Sequence, residues 1–292
     1  MHSHATPEND SSNRIGWAFV LNLSFTIIEF IGGVLTNSTA IMADAIHDLG
    51  DSISIGLSWL LNKLGSKEAD ETFTYGYRRF TLLGALINGV VLLIGSFWVI
   101  SIAIPKLQNP EMPVVEGMLG LAIFGVLVNG FAAYKLSRGK SLNEKVLNWH
   151  LLEDVLGWVA VLILSIVLMF VEVPILDPIL SLVFTLFILF NVAKNLVLTI
   201  QTFLQATPDK KVLNEIRKCL VNFNLVESVH HLHFWSLDGE HHVLTGHLVL
   251  GESVTVDAIH ELRADIDVAL KPYSFKHTTL EFEFYDDTCR DS

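Results

Sequence analysis

Apolar residues in this chain come in long, nearly unbroken runs, near Ile15–Leu35, Arg79–Ile104, Val114–Leu136, Val146–Val171 and Ile175–Leu204. Each can cross roughly 30 Å of hydrocarbon, which takes about 20 helical residues. Between the first two runs, Thr39–Leu64 is apolar apart from a set of acids. It predicts a further span that hydropathy alone passes over, because without it a long, largely apolar loop would sit in water. Six spans result, divided by the turn residues Thr36-Asn37-Ser38, Gln108-Asn109-Pro110, Val173-Pro174 and Asp177-Pro178. From about Pro208 the pattern shortens. Val212, Ile216 and Leu220 fall at helical spacing in Lys210–Asn222. His230–Leu237 and Val243–Leu250 read as strands joined at Asp238-Gly239. Val256–Leu270 is again helical and Thr278–Phe284 a last strand. Helix, strand, strand, helix, strand predicts an α+β sandwich with its helices on one face of a three-stranded sheet.

The expected domains are a polar tail at 1–14, a six-helix membrane domain at 15–207 and a soluble domain at 208–292. A mean hydropathy of +0.48 with only 17% charged residues fits a membrane protein with a polar tail. The first fourteen residues lack the basic stretch and cleavage site of a signal peptide, so the first span is expected to stay. Lys63, Lys67, Arg78 and Arg79 lie in the loop between spans two and three. Lys135, Arg138, Lys140 and Lys145 lie between four and five, and Lys210 and Lys211 follow six, against Lys106 alone on the other side. The positive-inside rule then places both termini in the cytoplasm. Cys219 and Cys289 are the only cysteines, which fits a reducing compartment. A net charge of −12 argues against nucleic acid as a partner.

The acids of the second span carry the chemistry. Asp44, His47 and Asp51 stack along one helical face and Asp48 lies about 100° round from His47. The His-x-x-x-Asp spacing recurs at His150 and Asp154. Charge inside a bilayer costs about 2.5 kcal/mol or more per residue and persists where it pairs, binds an ion or lines a pathway. Two imidazoles and two carboxylates make the four-coordinate set that zinc accepts. Asp44, Asp48, Asn22 and Glu29 are candidates for orienting ligands or passing protons, with plain packing as the alternative for each.

Eight of the twelve histidines lie in the tail: His230, His231, His233, His241, His242, His247, His260 and His277. Strand alternation puts His231 and His233 on one face and His230 on the other, with His247 on the paired strand in reach of one set. The tail from Asp209 holds fifteen acids against eight Lys and Arg, so two such tails side by side repel until cations bridge them.

Four stretches together resemble the cation diffusion facilitators of the zinc, cadmium and cobalt efflux type, over nearly the whole chain. They are Ser38-Thr-Ala-Ile-Met-Ala-Asp-Ala-Ile-His-Asp-Leu-Gly-Asp51, Thr74-Tyr-Gly-Tyr-Arg-Arg79, His150-Leu-Leu-Glu-Asp154 and His230-His-Leu-His-Phe-Trp-Ser236. The resemblance implies a homodimer exporting cytoplasmic Zn²⁺ in exchange for protons, through a transport site of His47, Asp51, His150 and Asp154. It implies a metallochaperone-like tail whose zinc ligands would be His230, His247, His260, His277 and Glu283, with His233 a further candidate. Two departures stand out. Gly65-Ser-Lys-Glu-Ala-Asp-Glu-Thr72 has acids but no histidine, so no metal is assigned to that loop. Phe80-Thr81 stands where many members carry an acid of a cytoplasmic charge lock.

Imidazole ligates metal only when neutral, so zinc and protons compete at the site, and competition is coupling. A metal-gated channel would use the same residues, but four tight ligands hold an ion too strongly for fast conduction. A transporter of Fe²⁺ or Mn²⁺ is the other alternative. A zinc protease would need an open coordination position and a His-Glu-x-x-His motif, which the sequence lacks. Short loops and a compact tail favour a bacterial inner membrane over an organelle's.

Overall fold

The computed structural model describes residues 7–65, 67–136, 142–252, 254–273, 275–285 and 287–289. Six long helices come first: α1 (Pro7–Thr36), α2 (Thr39–Gly65), α3 (Arg79–Gln108), α4 (Val115–Leu136), α5 (Leu142–Phe170) and α6 (Leu176–Phe203). Five of them, all but α2, are long and apolar enough to cross a membrane by length and composition. The acids of α2 keep it below that threshold, as its sequence leads one to expect. The chain groups into two compact units, one of residues 1–60 with 84–196, the other of 61–83 with 197–292.

In the first unit the helices pack inward through small residues. A Cβ on Gly125 of α4 would stand 2.2 Å from the Trp158 ring of α5, so only glycine lets that buried indole lie flat on its neighbour. Ala40, Ile41, Met118, Ala122, Trp158 and Val161 form the core beside it. Many large apolar side chains of these helices stay exposed on the outside, as lipid-facing positions do. The turn after α1 is a Schellman-type stop. Asn37 takes the left-handed conformation (φ 54°) and Ser38 N donates to Gly33 O at 3.0 Å.

The second unit holds α7 (Lys210–Val221), β1 (Val226–Ser236), β2 (His242–Leu250), α8 (Val256–Leu270), a 3₁₀ turn (Lys271–Tyr273) and β3 (Phe275–Glu283). The sheet order is β1-β2-β3, with β1 and β2 antiparallel and β2 and β3 parallel. Ile216 and Leu220 of α7 and Leu262, Ile266 and Leu270 of α8 share one core with Val229, Leu232, Phe234, Leu244 and Leu248. The helices therefore cover one sheet face, the α+β sandwich that the element order implies. Asp209 caps α7 by accepting from Lys211 N at 2.7 Å, and Thr255 caps α8.

The β1–β2 connection carries the expected Asp238-Gly239, but its ends shift by one residue to Leu237–His241, and Leu237 N closes it by donating to His241 O at 2.8 Å. Strict alternation, however, breaks in β1. His231 has φ 45° and the register shifts between His230 and His233. The extra residue of this bulge turns His231 to the helix-free side, so His230, His231 and His233 all share that face. Val229, Leu232 and Phe234 keep the core side.

Candidate metal centres

In the membrane domain α2 and α5 bring His47, Asp51 and Asp154 together. His47 Nε2 lies 3.7 Å from Asp51 Oδ2 and 3.8 Å from Asp154 Oδ1. One ligand atom from each of the three lies within 4.8 Å of the others. Atoms sharing a tetrahedral zinc stand about 3.4 Å apart, so a small contraction would seat one ion. All three are half-buried, and His47, Asp154, Asp44 and Glu153 line a cavity of about 240 Å³ closed on one side by Phe184, Phe187 and Ile188 of α6. The fourth expected ligand, His150, belongs to α5, and its side chain lies outside the described residues.

A second layer of acids stands behind. Glu29 of α1 is 1% exposed, and its oxygens meet no donor in hydrogen-bonding geometry among the described residues. It faces Asp48 and Asp44, which are also buried. Asn22 Nδ2 donates to Ser52 Oγ at 3.0 Å, and Ser52 and Thr26 hydroxyls meet at 3.3 Å, tying α1 to α2.

The soluble unit holds a second cluster on the helix-free face. His247 Nδ1 is 2.7 Å and His230 Nε2 3.1 Å from the two oxygens of Glu283, and Cys289 Sγ is 3.5 Å from His247 Nδ1. Ligand atoms of these four lie within 4.8 Å of one another. Burial raises Glu283, but hydrogen bonding to His247 and Cys289 and the nearby His230 outweigh it and hold the carboxyl below its usual range, ready as a ligand. Cys289 is a member of this cluster that the sequence reading does not single out. Its signal is its position six residues beyond Glu283, past the end of β3.

Three expected tail ligands stay apart from that cluster. His277 lies near the start of β3, with its ring edge-on to Tyr75 at 5.0 Å, and pairs with Val243 rather than with the region of His247. Six strand residues, roughly 20 Å, separate it from Glu283. His260 is exposed on α8, on the other side of the sheet. His233 is exposed, 6.4 Å from the His231 ring.

The loop before α3 carries its own polar network. Asp70 accepts from Tyr77 Oη (2.5 Å), Lys67 Nζ (3.1 Å) and the backbone of Thr72 and Phe73. These donors, Tyr77 first, hold Asp70 far below the usual carboxylate range and use both its oxygens. Arg78 Nη1 lies 3.6 Å from Asp238 Oδ2 and 3.1 Å from His241 Nδ1, while that nitrogen is 2.7 Å from Asp238. One ring nitrogen cannot donate to the carboxylate and accept from the guanidinium at once, so Asp238 is the centre of a three-group charge cluster.

Acid should loosen this hairpin loop. Burial raises Asp238, but the backbone N–H groups of His241 and Glu240 and the His241 ring more than offset it, so its pKa is lowered. Burial lowers His242 as well. Groups lowered by folding stabilise fully above their unfolded values, about 6.5 for His and 3.9 for Asp, and that stabilisation is lost as pH falls through the folded values. Exchange protection of residues 236–243, corrected for intrinsic rate, should therefore be flat from pH 8 to about 6.5, then fall, and fall again below about 4. Asp238→Asn should erase the lower step, and a profile identical to the parent's contradicts the cluster.

Known proteins give the chain its family. Residues 17–204 match the cation efflux transmembrane domain and residues 208–285 the cation efflux protein cytoplasmic domain. The chain is 30% identical over 291 residues to the cadmium, cobalt and zinc/H(+)-K(+) antiporter of Bacillus subtilis, covering 97% of this chain and 91% of that one. It is 31% identical over 281 residues to zinc transporter ZitB of Yersinia pseudotuberculosis (95% and 89%). It is 29% identical over 287 residues to the metal cation efflux system protein CzcD of Cupriavidus metallidurans (97% and 89%). With both domains matched in order along one chain, the protein belongs to the cation efflux family, the cation diffusion facilitators, and is a membrane transporter of cations rather than an enzyme.

Proposed function

We propose that this protein exports Zn²⁺, with Cd²⁺ and Co²⁺ as further substrates, from the cytoplasm in exchange for protons. The observation that carries the reading is the meeting of His47 with two carboxylates from two different helices, 3.7 and 3.8 Å away. His150, one turn before Asp154 on α5, supplies the fourth ligand. Mixed nitrogen and oxygen donors suit Zn²⁺, Co²⁺ or Cd²⁺, whereas Mg²⁺ and Ca²⁺ prefer more oxygens. The names of the relatives, which include zinc transporters and a cadmium, cobalt and zinc antiporter, support the same substrates.

Protons and metal then use one set of side chains. Zinc arriving from the cytoplasm displaces protons from the imidazoles, and protons from the other side reload them and release the metal. Alternating access around a fixed midplane site completes the exchange. Both termini lie in the cytoplasm by the distribution of Lys and Arg, and the short loops and compact tail favour a bacterial inner membrane. The protein works as a homodimer in which the tail cluster of His230, His247, Glu283 and Cys289 holds a resident zinc ion. The donor set fits that ion: two imidazoles, a carboxylate already drawn to its ionised form and a thiol. His233, His260 and His277 remain candidates for a site completed across the dimer.

Proteoliposomes test the transport reading. With zinc outside and an acidic lumen, the reconstituted protein should accumulate zinc saturably and drain the proton gradient in step. Zinc flux that ignores the gradient and does not saturate would make it a channel.

A further inference from the structure

α2 carries His47 and Asp51, and its first turn is wholly enclosed. Ser38, Thr39, Ala40 and Ile41 are each 0% exposed. The first backbone N–H groups of a helix have no partner within it, and in a membrane protein they must find one internally. Here the acceptor comes from the first turn of another helix. Asp177 of α6, 2% exposed, accepts from Ser38 Oγ (2.6 Å) and Ala40 N (3.3 Å) at Oδ1, and from Thr39 N and Thr39 Oγ1 (both 2.7 Å) at Oδ2. Ser38 Oγ in turn accepts from Ile41 N at 3.3 Å, so the local cap and the distant carboxylate form one relay. A single negative charge thus serves the positive ends of two helices, with Lys106 near enough to interact with it.

We propose that Asp177 is a positioning residue for transport, which fixes the rotation of α2 so that His47 and Asp51 face Asp154. This rests on the proposed transport site. The selectivity of the cap lies in its geometry, because two oxygens read the N–H groups of Thr39 and Ala40 and the hydroxyls of Ser38 and Thr39. Sliding the cap by one residue would turn α2 by about 100° and move it about 1.5 Å along its axis. His47 would then leave the cavity it shares with Asp154, where ligand atoms are already close to the spacing an ion needs.

The test is zinc flux in proteoliposomes per folded molecule, with KM and the zinc-to-cadmium ratio as readouts. Asp177→Asn should raise KM for zinc at least about tenfold, the range expected when a group orienting metal ligands is lost. Zinc-to-cadmium discrimination should narrow with it. Asp177→Glu keeps the charge but displaces it by a methylene, so it should not restore the parent's KM. Restoration by Glu would mean that charge alone matters and would overturn the proposal. If Asp177→Asn does not fold, Thr39→Val decides, since it removes one hydrogen bond and keeps the shape. It should raise KM about threefold, and an unchanged KM overturns the proposal. Asp154→Ala is the control for the underlying site: parent-like flux there defeats the site itself, whereas collapsed flux there with normal KM in the cap variants defeats only the role of Asp177.

Discussion

Zinc flux in reconstituted Asp154→Ala is expected at no more than about one tenth of the parent, with Asp51→Ala close to it. Asp154 is the single described residue that links the α2 ligands to a second helix, its Oδ1 lying 3.8 Å from His47 Nε2. Removing it leaves His47 and Asp51 on α2 and the proposed His150 on α5, three donors where a tetrahedral ion takes four. Glu153 lines the same cavity but is exposed and outside the ligand group, so Glu153→Ala serves as the comparison and should keep most of the flux. Flux measured per folded molecule with zinc-sensitive dye inside the vesicles checks both. Equal flux in Asp154→Ala and parent would leave the two-helix site without support.

His247→Ala is expected to weaken zinc binding by the tail on the order of a hundredfold, and Cys289→Ser by about tenfold. His247 touches Glu283 at 2.7 Å and Cys289 at 3.5 Å, so it joins donors from β2, β3 and the segment after β3. Cysteine adds a signature that oxygen and nitrogen donors lack. A Co²⁺-loaded full-length protein should show an intense near-ultraviolet band from sulfur bound to the metal, and Cys289→Ser should abolish it. Competition against a chromophoric chelator gives the affinities. A Co²⁺ spectrum with no such band in the parent would remove Cys289 from the ligand set and leave His230, His247 and Glu283.

The membrane architecture was legible because buried acids are costly. Asp44, Asp48 and Asp51 kept α2 below the hydropathy threshold, yet the apolar residues around them and the loops on either side required a span there. His47, Asp51 and Asp154 could be singled out for the same reason. The tail cluster is less legible. Period-two alternation assigned His230 and His231 to opposite faces, and a left-handed residue inside β1 reversed that. A histidine, unlike glycine, gives no sequence warning of positive φ. Cys289 lies beyond the last strand, where no periodicity says which way a side chain turns. Asp177 looked like part of a turn with Pro178, and only the packing of α6 against the start of α2 reveals its four hydrogen bonds.

The polarity of α2 has a consequence for how the chain is made. A segment with several acids partitions poorly from the protein-conducting channel into lipid by itself, where each central Asp opposes entry by about 3 kcal/mol. Its predecessor offers polar partners: Asn22 donates to Ser52 Oγ and to the backbone oxygen of Asp48, and Thr26 meets Ser52. Biogenesis should therefore deliver α1 and α2 as a preformed hairpin, with the nascent α1 acting as an internal escort for the helix that carries the proposed ligands His47 and Asp51.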